Sequence, residues 1–229
     1  MPTFLIETWL AAKGWKPFGF QRAAWEAYLR GDSGLVHAAT GMGKSYSVWL
    51  GIVEECLREQ MAHAAAHGGE LPTASEPLPL RALWITPMRA LANDLVNNLS
   101  VPINALDLPW SIELRTGDTT QSMRKKQRLR LPTTLVTTPE SLSLLLSYPE
   151  ARKLFESLRC VVVDEWHELL ETKRGVQTEL GLARLRSWLP KLRTWGLSAT
   201  LANLDQALAV LLGHHPDATT PPPGVLIPG

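Results

Sequence analysis

The sequence predicts an α/β domain with a mostly parallel central sheet and helices on both faces. Three observations predict it. Short apolar runs alternate with helical patterns along nearly the whole chain. Several runs are almost continuously apolar, as in Val161-Val162-Val163, which is the pattern of a strand buried on both faces. A glycine-rich loop follows the first run and opens a helix, as phosphate-binding loops of such sheets do.

Taken in order, strands are expected at residues 34–37, 82–85, 111–114, 134–137, 160–163 and 194–197. Helices are expected at about 21–30, 44–60, 89–99, 120–129, 139–147, 177–188 and 204–212. Pro139 suits the first turn of its helix. The stretch 61–79 is rich in Ala, Gly, Pro and Ser and reads as a surface loop. The tail 219–229 is Pro-rich and reads as a linker or frayed end. Residues 1–218 are expected to form one domain.

Composition excludes more than it assigns. The net charge is +1, so overall charge makes no case for a nucleic-acid or membrane partner. The two cysteines, Cys56 and Cys160, form no CxxC pair, which argues against a disulfide framework or zinc site and for a reducing compartment. The N-terminus lacks the pattern of a secretory signal, and no apolar run is long enough to span a bilayer. A cytoplasmic location is expected.

The strongest local signal is Ala38-Ala39-Thr40-Gly41-Met42-Gly43-Lys44-Ser45. Glycines let backbone N–H groups turn toward a phosphate chain, and the helix N-terminus adds partial positive charge. Lys44 can reach the β- and γ-phosphates of ATP, and Ser45 can ligate Mg²⁺. Ala38 stands where the usual pattern has Gly. The plainer alternative is a glycine-rich turn with a solvated lysine. A P-loop also needs a carboxylate for Mg²⁺ and a base for the attacking water. Asp164 and Glu165, at the end of the Val161-Val162-Val163 run, can supply both, because ligands gather at the carboxyl ends of parallel strands.

With these residues on the page, the chain resembles the first RecA-like lobe of superfamily 2 DExH-box helicases. The ordered set is Gln21, Ala39 to Ser45, Thr86-Pro87-Met88-Arg89-Ala90-Leu91, Thr116-Gly117-Asp118, Thr138-Pro139-Glu140-Ser141, Asp164-Glu165-Trp166-His167 and Ser198-Ala199-Thr200. Within that superfamily it looks most like the large helicase-related (Lhr) group, of the DNA-ligase-associated type. The resemblance implies a RecA-like P-loop NTPase fold with ATP and Mg²⁺ as cofactors. Gln21 would hydrogen-bond the adenine. Lys44, Asp164, Glu165 and His167 would be catalytic. Pro87, Arg89, Thr116, Gly117, Thr138, Pro139, Glu140 and Ser141 would grip the backbone of a single nucleic-acid strand. Ser198 and Thr200, with His167, would couple hydrolysis to strand movement. It further implies 3′-to-5′ motion on DNA, a role in DNA repair, and a DNA ligase and repair nuclease as partners.

No Gln-x-x-Gly-Arg-x-Gly-Arg stretch occurs, so the arginines of a second RecA-like lobe are expected elsewhere in a longer parent chain. Two alternatives stay open: a stand-alone nucleotide- and nucleic-acid-binding module with little turnover, and an ATP-driven remodeller of protein–nucleic-acid complexes, RNA included. Other features read blandly. The run Arg124 to Arg130 reads as a solvated helix face, His63 and His67 as a surface pair, His214-His215 as incidental, and Trp15 and Trp166 as base-stacking or packing residues.

Overall fold

The computed structural model describes residues 4–67, 78–213 and 224–229. His214-His215, most of the 61–79 stretch and the start of the tail lie outside them. Seven strands form one sheet: β1 (Gly34–His37), β2 (Ala82–Ile85), β3 (Ile112–Arg115), β4 (Thr134–Thr137), β5 (Cys160–Val163), β6 (Arg193–Ser198) and β7 (Val225–Pro228). Their order is β3-β4-β2-β5-β6-β1-β7, and every pairing is parallel. The helices are α1 (Ile6–Ala12), α2 (Gly19–Arg30), α3 (Lys44–Ala66), α4 (Arg89–Ala105), α5 (Gln121–Leu129), α6 (Pro139–Leu146), α7 (Ala151–Leu154), α8 (Trp166–Leu169), α9 (Lys173–Trp188) and α10 (Leu204–Leu212).

Alternation of side chains along each strand builds two cores. Val36, Trp84 and Val162 face one side, where they meet Trp25, Tyr28 and Trp49 from α2 and α3. Leu35, Leu83, Ile85, Val161 and Val163 face the other, with Leu142, Leu182 and Leu211 from α6, α9 and α10. The continuously apolar strands are therefore buried on both faces, as the all-parallel topology requires. Trp166 is fully buried and its Nε1 donates to Ala207 O at 3.0 Å, so it anchors α10. Trp15 is 49 % exposed and meets Trp9 edge to face. Cys56 and Cys160 are free and buried, and burial pushes the Cys160 thiol up to about 12. Among the described residues no helix is long and apolar enough to cross a membrane.

Several boundaries differ from expectation. The expected loop begins too early, because α3 runs to Ala66; His63-Ala64-Ala65-Ala66 has strong helical propensity and no breaker. The stacked His63 and His67 rings sit on that last turn and its cap, and among the described residues no cluster of three or more His, Cys, Asp or Glu side chains could hold a metal ion there. Helix α1 lies outside the expected helices. It is tied down by Glu54, a fully buried carboxylate on α3 that accepts from Ile6 N at 3.0 Å and from Arg58 Nε at 2.7 Å. Helix α9 begins at Lys173, capped by Thr172, rather than at 177.

The larger correction concerns the tail. Val225–Pro228 is not linker but the edge strand β7, in parallel register with β1. Val225 N donates to Ser33 O at 2.9 Å and Gly229 N donates to His37 O at 2.8 Å. Pro228 is compatible with this because an edge strand leaves one side of its ladder unpaired. The join is close: a Cβ on Gly34 would lie 2.6 Å from Val225 O and 2.9 Å from the Trp195 ring. Gly34→Ala is therefore expected to destabilise the domain by roughly 1–3 kcal/mol, the usual cost of overpacking. Urea unfolding would check it, and an unchanged midpoint would mean that β7 does not hold this register.

Candidate functional site

In a parallel sheet all strands end on the same rim, so loops distant in sequence converge there. The Ala38–Ser45 loop follows β1, and Thr86 to Arg89 follow β2. Thr116-Gly117 follow β3, Thr138 to Ser141 follow β4, Asp164 to His167 follow β5, and Ala199-Thr200 follow Ser198, the last residue of β6.

The glycine-rich loop turns through left-handed residues. Gly41 has φ 85° and Gly43 φ 75°, a region that glycine enters without steric cost. Helix α3 starts directly afterwards with Lys44, which is buried. Gln21 lies against this loop. Its Nε2 donates to Gly43 O at 3.1 Å, while its Oε1 accepts from Phe18 N at 2.9 Å and closes the first turn of α2. A Cβ on Gly43 would sit 2.8 Å from that Nε2. Ala38 N donates to Ser198 O at 3.1 Å, which fixes the loop to β6.

Asp164 faces this loop across the rim. Its Oδ2 accepts from Trp84 Nε1 at 3.2 Å and its Oδ1 from Glu165 N at 3.0 Å. Burial raises its pKa to about 6, with the Glu165 charge adding to the rise. Trp84, the Glu165 backbone N–H and Lys44 oppose it by favouring the ionised form. Lys44 is thus near enough to favour the ionised form of Asp164. Glu165 is left-handed, with φ 44° and ψ 50°, an uncommon conformation for a non-glycine residue and one that clusters at functional sites. His167 Nδ1 lies 3.5 Å from Glu165 Oε2 and 3.0 Å from the Ser198 Oγ. Glu165, His167 and Ser198 therefore form a continuous polar chain across β5 and β6. Ser198 is fully buried and Thr200 is exposed.

The raised Asp164 pKa gives a stability prediction for the nucleotide-free protein. The fold binds this proton more tightly than the unfolded chain does, so ionisation weakens the fold. The weakening begins above pH ~4, where the unfolded carboxyl starts to lose its proton. It is complete above the folded value of about 6 and costs on the order of 3 kcal/mol at most. Asp164→Asn should therefore gain stability relative to the natural protein as pH rises from 4 to 7.5, read as a growing gap in melting temperature. A gap that stays constant over that range would refute the shift.

The remaining loops form a second surface next to the first. The guanidinium of Arg89 lies over Gly117, where a Cβ would come within 3.1 Å of it. Thr116 is buried and Gly117 exposed. Thr138 caps α6 by accepting from Ser141 N at 3.4 Å, with Pro139 in the first turn. Pro87 is buried and its carbonyl accepts from Arg174 Nη1 at 3.0 Å. Arg174 Nε also donates to Glu140 Oε1 at 2.6 Å. Much of the basic run is engaged internally. Arg124 binds the carbonyls of Thr116, Gly117 and Thr119, Lys126 pairs with Glu113, and Arg128 pairs with Glu150 over the Tyr148 ring. Trp84 and Arg174 were invisible to sequence reasoning, because a tryptophan inside a strand and an arginine beyond any motif carry no local signal.

A sequence profile of the DEAD/DEAH box helicases matches residues 18–207, most of the chain. The chain belongs to the DEAD/DEAH box helicase family. The resemblance to the Lhr group also holds. This helicase domain is 36% identical over 203 residues to the ATP-dependent helicase Lhr-Core of Methanothermobacter thermautotrophicus, covering 85% of this chain and 22% of that protein. It is 32% identical over 225 residues to the Lhr helicase/uracil glycosylase of Escherichia coli, covering 93% of this chain and 14% of that protein. The structure of Mycobacterium smegmatis helicase Lhr bound to ssDNA and AMP-PNP superposes with a TM-score of 0.78 at 29% identity, covering 99% of this chain and 28% of that one. The DUF1998 helicase MrfA shares the fold, with a TM-score of 0.76 at 21% identity over 98% of this chain and 29% of that one. The helicase domain thus spans less than a quarter of the length of these curated relatives.

Proposed function

We propose that this helicase domain is the ATP-binding lobe of an ATP-dependent motor that moves 3′ to 5′ along single-stranded nucleic acid, preferably DNA. A second RecA-like lobe in the same parent chain would complete it. The observation that carries the reading is the shared rim, where Lys44 favours the ionised form of the buried Asp164 beside the chain Glu165–His167–Ser198. The M. smegmatis relative, bound to ssDNA and AMP-PNP, supports both ligands.

The residues fit a magnesium–nucleotide. Gly41 and Gly43 carry no side chain to block a phosphate, and Asp164 is a buried carboxylate that a cation would return to its ionised form. Ser45 and Asp164 would hold Mg²⁺, which when bound offsets charge on the phosphates. The backbone N–H groups from Ala39, Thr40, Gly41, Met42 and Gly43 into α3 would cradle the phosphates, and Lys44 would reach the β- and γ-oxygens. Gln21 would read the adenine while bracing the loop. Glu165 would orient the attacking water and accept its proton. His167, hydrogen-bonded to Ser198, would pass the state of the site to Thr200 on the exposed side of the rim.

The second surface would hold the strand by its backbone, with Arg89 as a charged contact and the helix start at Pro139 adding partial positive charge. Arg89→Ala is expected to weaken oligo-dT binding severalfold at 0.1 M salt and to flatten the log K against log salt slope by ~0.7, the share of one phosphate on a single strand. An unchanged slope would remove Arg89 from the track. A role in DNA repair beside a DNA ligase and nuclease is proposed on resemblance alone.

The reading as a whole is tested by ATP turnover of the full-length protein with and without single-stranded DNA, and by unwinding of 3′-tailed against 5′-tailed duplexes. No stimulation by either DNA or RNA, with Lys44→Ala without effect, would reject it. Preference for a 5′ tail would reject the polarity alone. Robust DNA-stimulated turnover by residues 1–229 alone would reject the need for a second lobe.

A further inference from the structure

The chain that leaves the Asp164–His167 segment doubles back toward the second surface. Helix α8 ends at Leu169 and Glu171 adopts a left-handed conformation, φ 61°. Thr172 then caps α9: its Oγ1 accepts from Gly175 N at 3.1 Å and donates to Leu169 O at 2.6 Å. Gly175 is pressed against the same carbonyl, where a Cβ would lie 2.1 Å from Leu169 O. The first turn of α9 is thus locked to the end of α8, and Arg174 leaves it in a defined direction.

From there Arg174 reaches two segments that no local structure joins. It donates through Nη1 to Pro87 O at 3.0 Å, 87 residues away, and through Nε to Glu140 Oε1 at 2.6 Å, 34 residues away. Pro87 lies in the loop after β2, and Glu140 in the first turn of α6 after β4. The two strands are neighbours, with Ile85 opposite Thr137, so the loops leave the sheet side by side.

We propose that Arg174 is a positioning residue that clamps the loop after β2 to the start of α6, so that the two segments present one fixed surface to the strand. The inference rests on the strand-gripping role given to those segments above and adds the part that holds them in register. A planar guanidinium can serve a carbonyl and a carboxylate at once through separate edges, whereas an ammonium is a single point charge. Fixing both segments before the strand arrives spares the cost of ordering them on binding. It also joins the strand surface to the Asp164–His167 segment through a rigid turn.

The rival role is direct contact, since the Arg174 side chain is 44% exposed and could meet a phosphate itself. Three variants of the full-length protein separate the two: Arg174→Ala, Arg174→Lys and Glu140→Ala. The readouts are oligo-dT affinity by fluorescence anisotropy and the oligo-dT concentration that half-saturates ATP turnover. As a clamp, all three should weaken binding by about tenfold, and Arg174→Ala should move the KM for ATP less than twofold. As a phosphate contact, Arg174→Lys should behave like the natural protein, and Glu140→Ala should bind more tightly because a nearby negative charge is gone. Either result overturns the clamp. Should Glu140→Ala fail to fold, Arg174→Lys decides alone. If the natural protein binds no oligo-dT, the strand-gripping assignment falls and the clamp with it. If it binds and all variants match it, only the clamp falls.

Discussion

Glu165→Gln is expected to lower ATP turnover by roughly 10²–10⁴-fold, the range for loss of a positioned general base, while nucleotide affinity changes by less than about threefold. The substitution keeps the size of the side chain and removes the group that takes a proton. The site favours this role. Glu165 Oε2 is buried and forms no hydrogen bond, with His167 Nδ1 3.5 Å away, so its lone pairs are not committed elsewhere. Single-turnover hydrolysis beside equilibrium binding of a fluorescent ATP analogue would check it. Turnover within tenfold of the natural protein would place the base elsewhere.

Lys44→Ala is expected to fail at an earlier step. The lysine is the cation of the glycine-rich loop, and its loss removes charge-assisted contacts with the β- and γ-phosphates worth about 1.5–3 kcal/mol each. Nucleotide affinity should therefore fall by roughly 10–10²-fold, and turnover should fall further because the contact strengthens as charge develops. A second effect follows from Asp164. Lys44 helps to keep that carboxyl ionised, so without it the Asp164 pKa should rise further and the loss should deepen as pH falls toward 6. Isothermal titration at pH 6 and pH 8 would measure both parts. Equal affinity in the variant and the natural protein would remove Lys44 from the phosphate site.

The paired expectations show what a single sequence makes legible here. The alternation of apolar runs fixes a parallel sheet, and a parallel sheet brings its motif-bearing loops to one rim without further information. Lys44 and Asp164, far apart in sequence, are near each other for that reason alone. What the sequence hid is of another kind. Trp84 reads as one apolar strand residue among others, and its hydrogen bond to Asp164 depends on β2 lying beside β5. Arg174 belongs to no motif, and its two partners are set by how α9 lies on α6. The β7 strand was masked by the prolines around it, which signal a linker when the neighbouring strand is unknown. Glu54 carries no local signal either, because its burial depends on α1 packing against α3.

That last strand has a practical consequence for anyone trimming the protein. The family match stops at residue 207, ahead of Val225–Pro228. Cutting there would strip the flank of β1, the strand that carries the nucleotide loop, and leave its outward N–H and C=O groups as a ready template for another copy of the chain. Such a product would be prone to self-association through the edge nearest its own catalytic loop, and inactivity measured on it would report aggregation rather than chemistry.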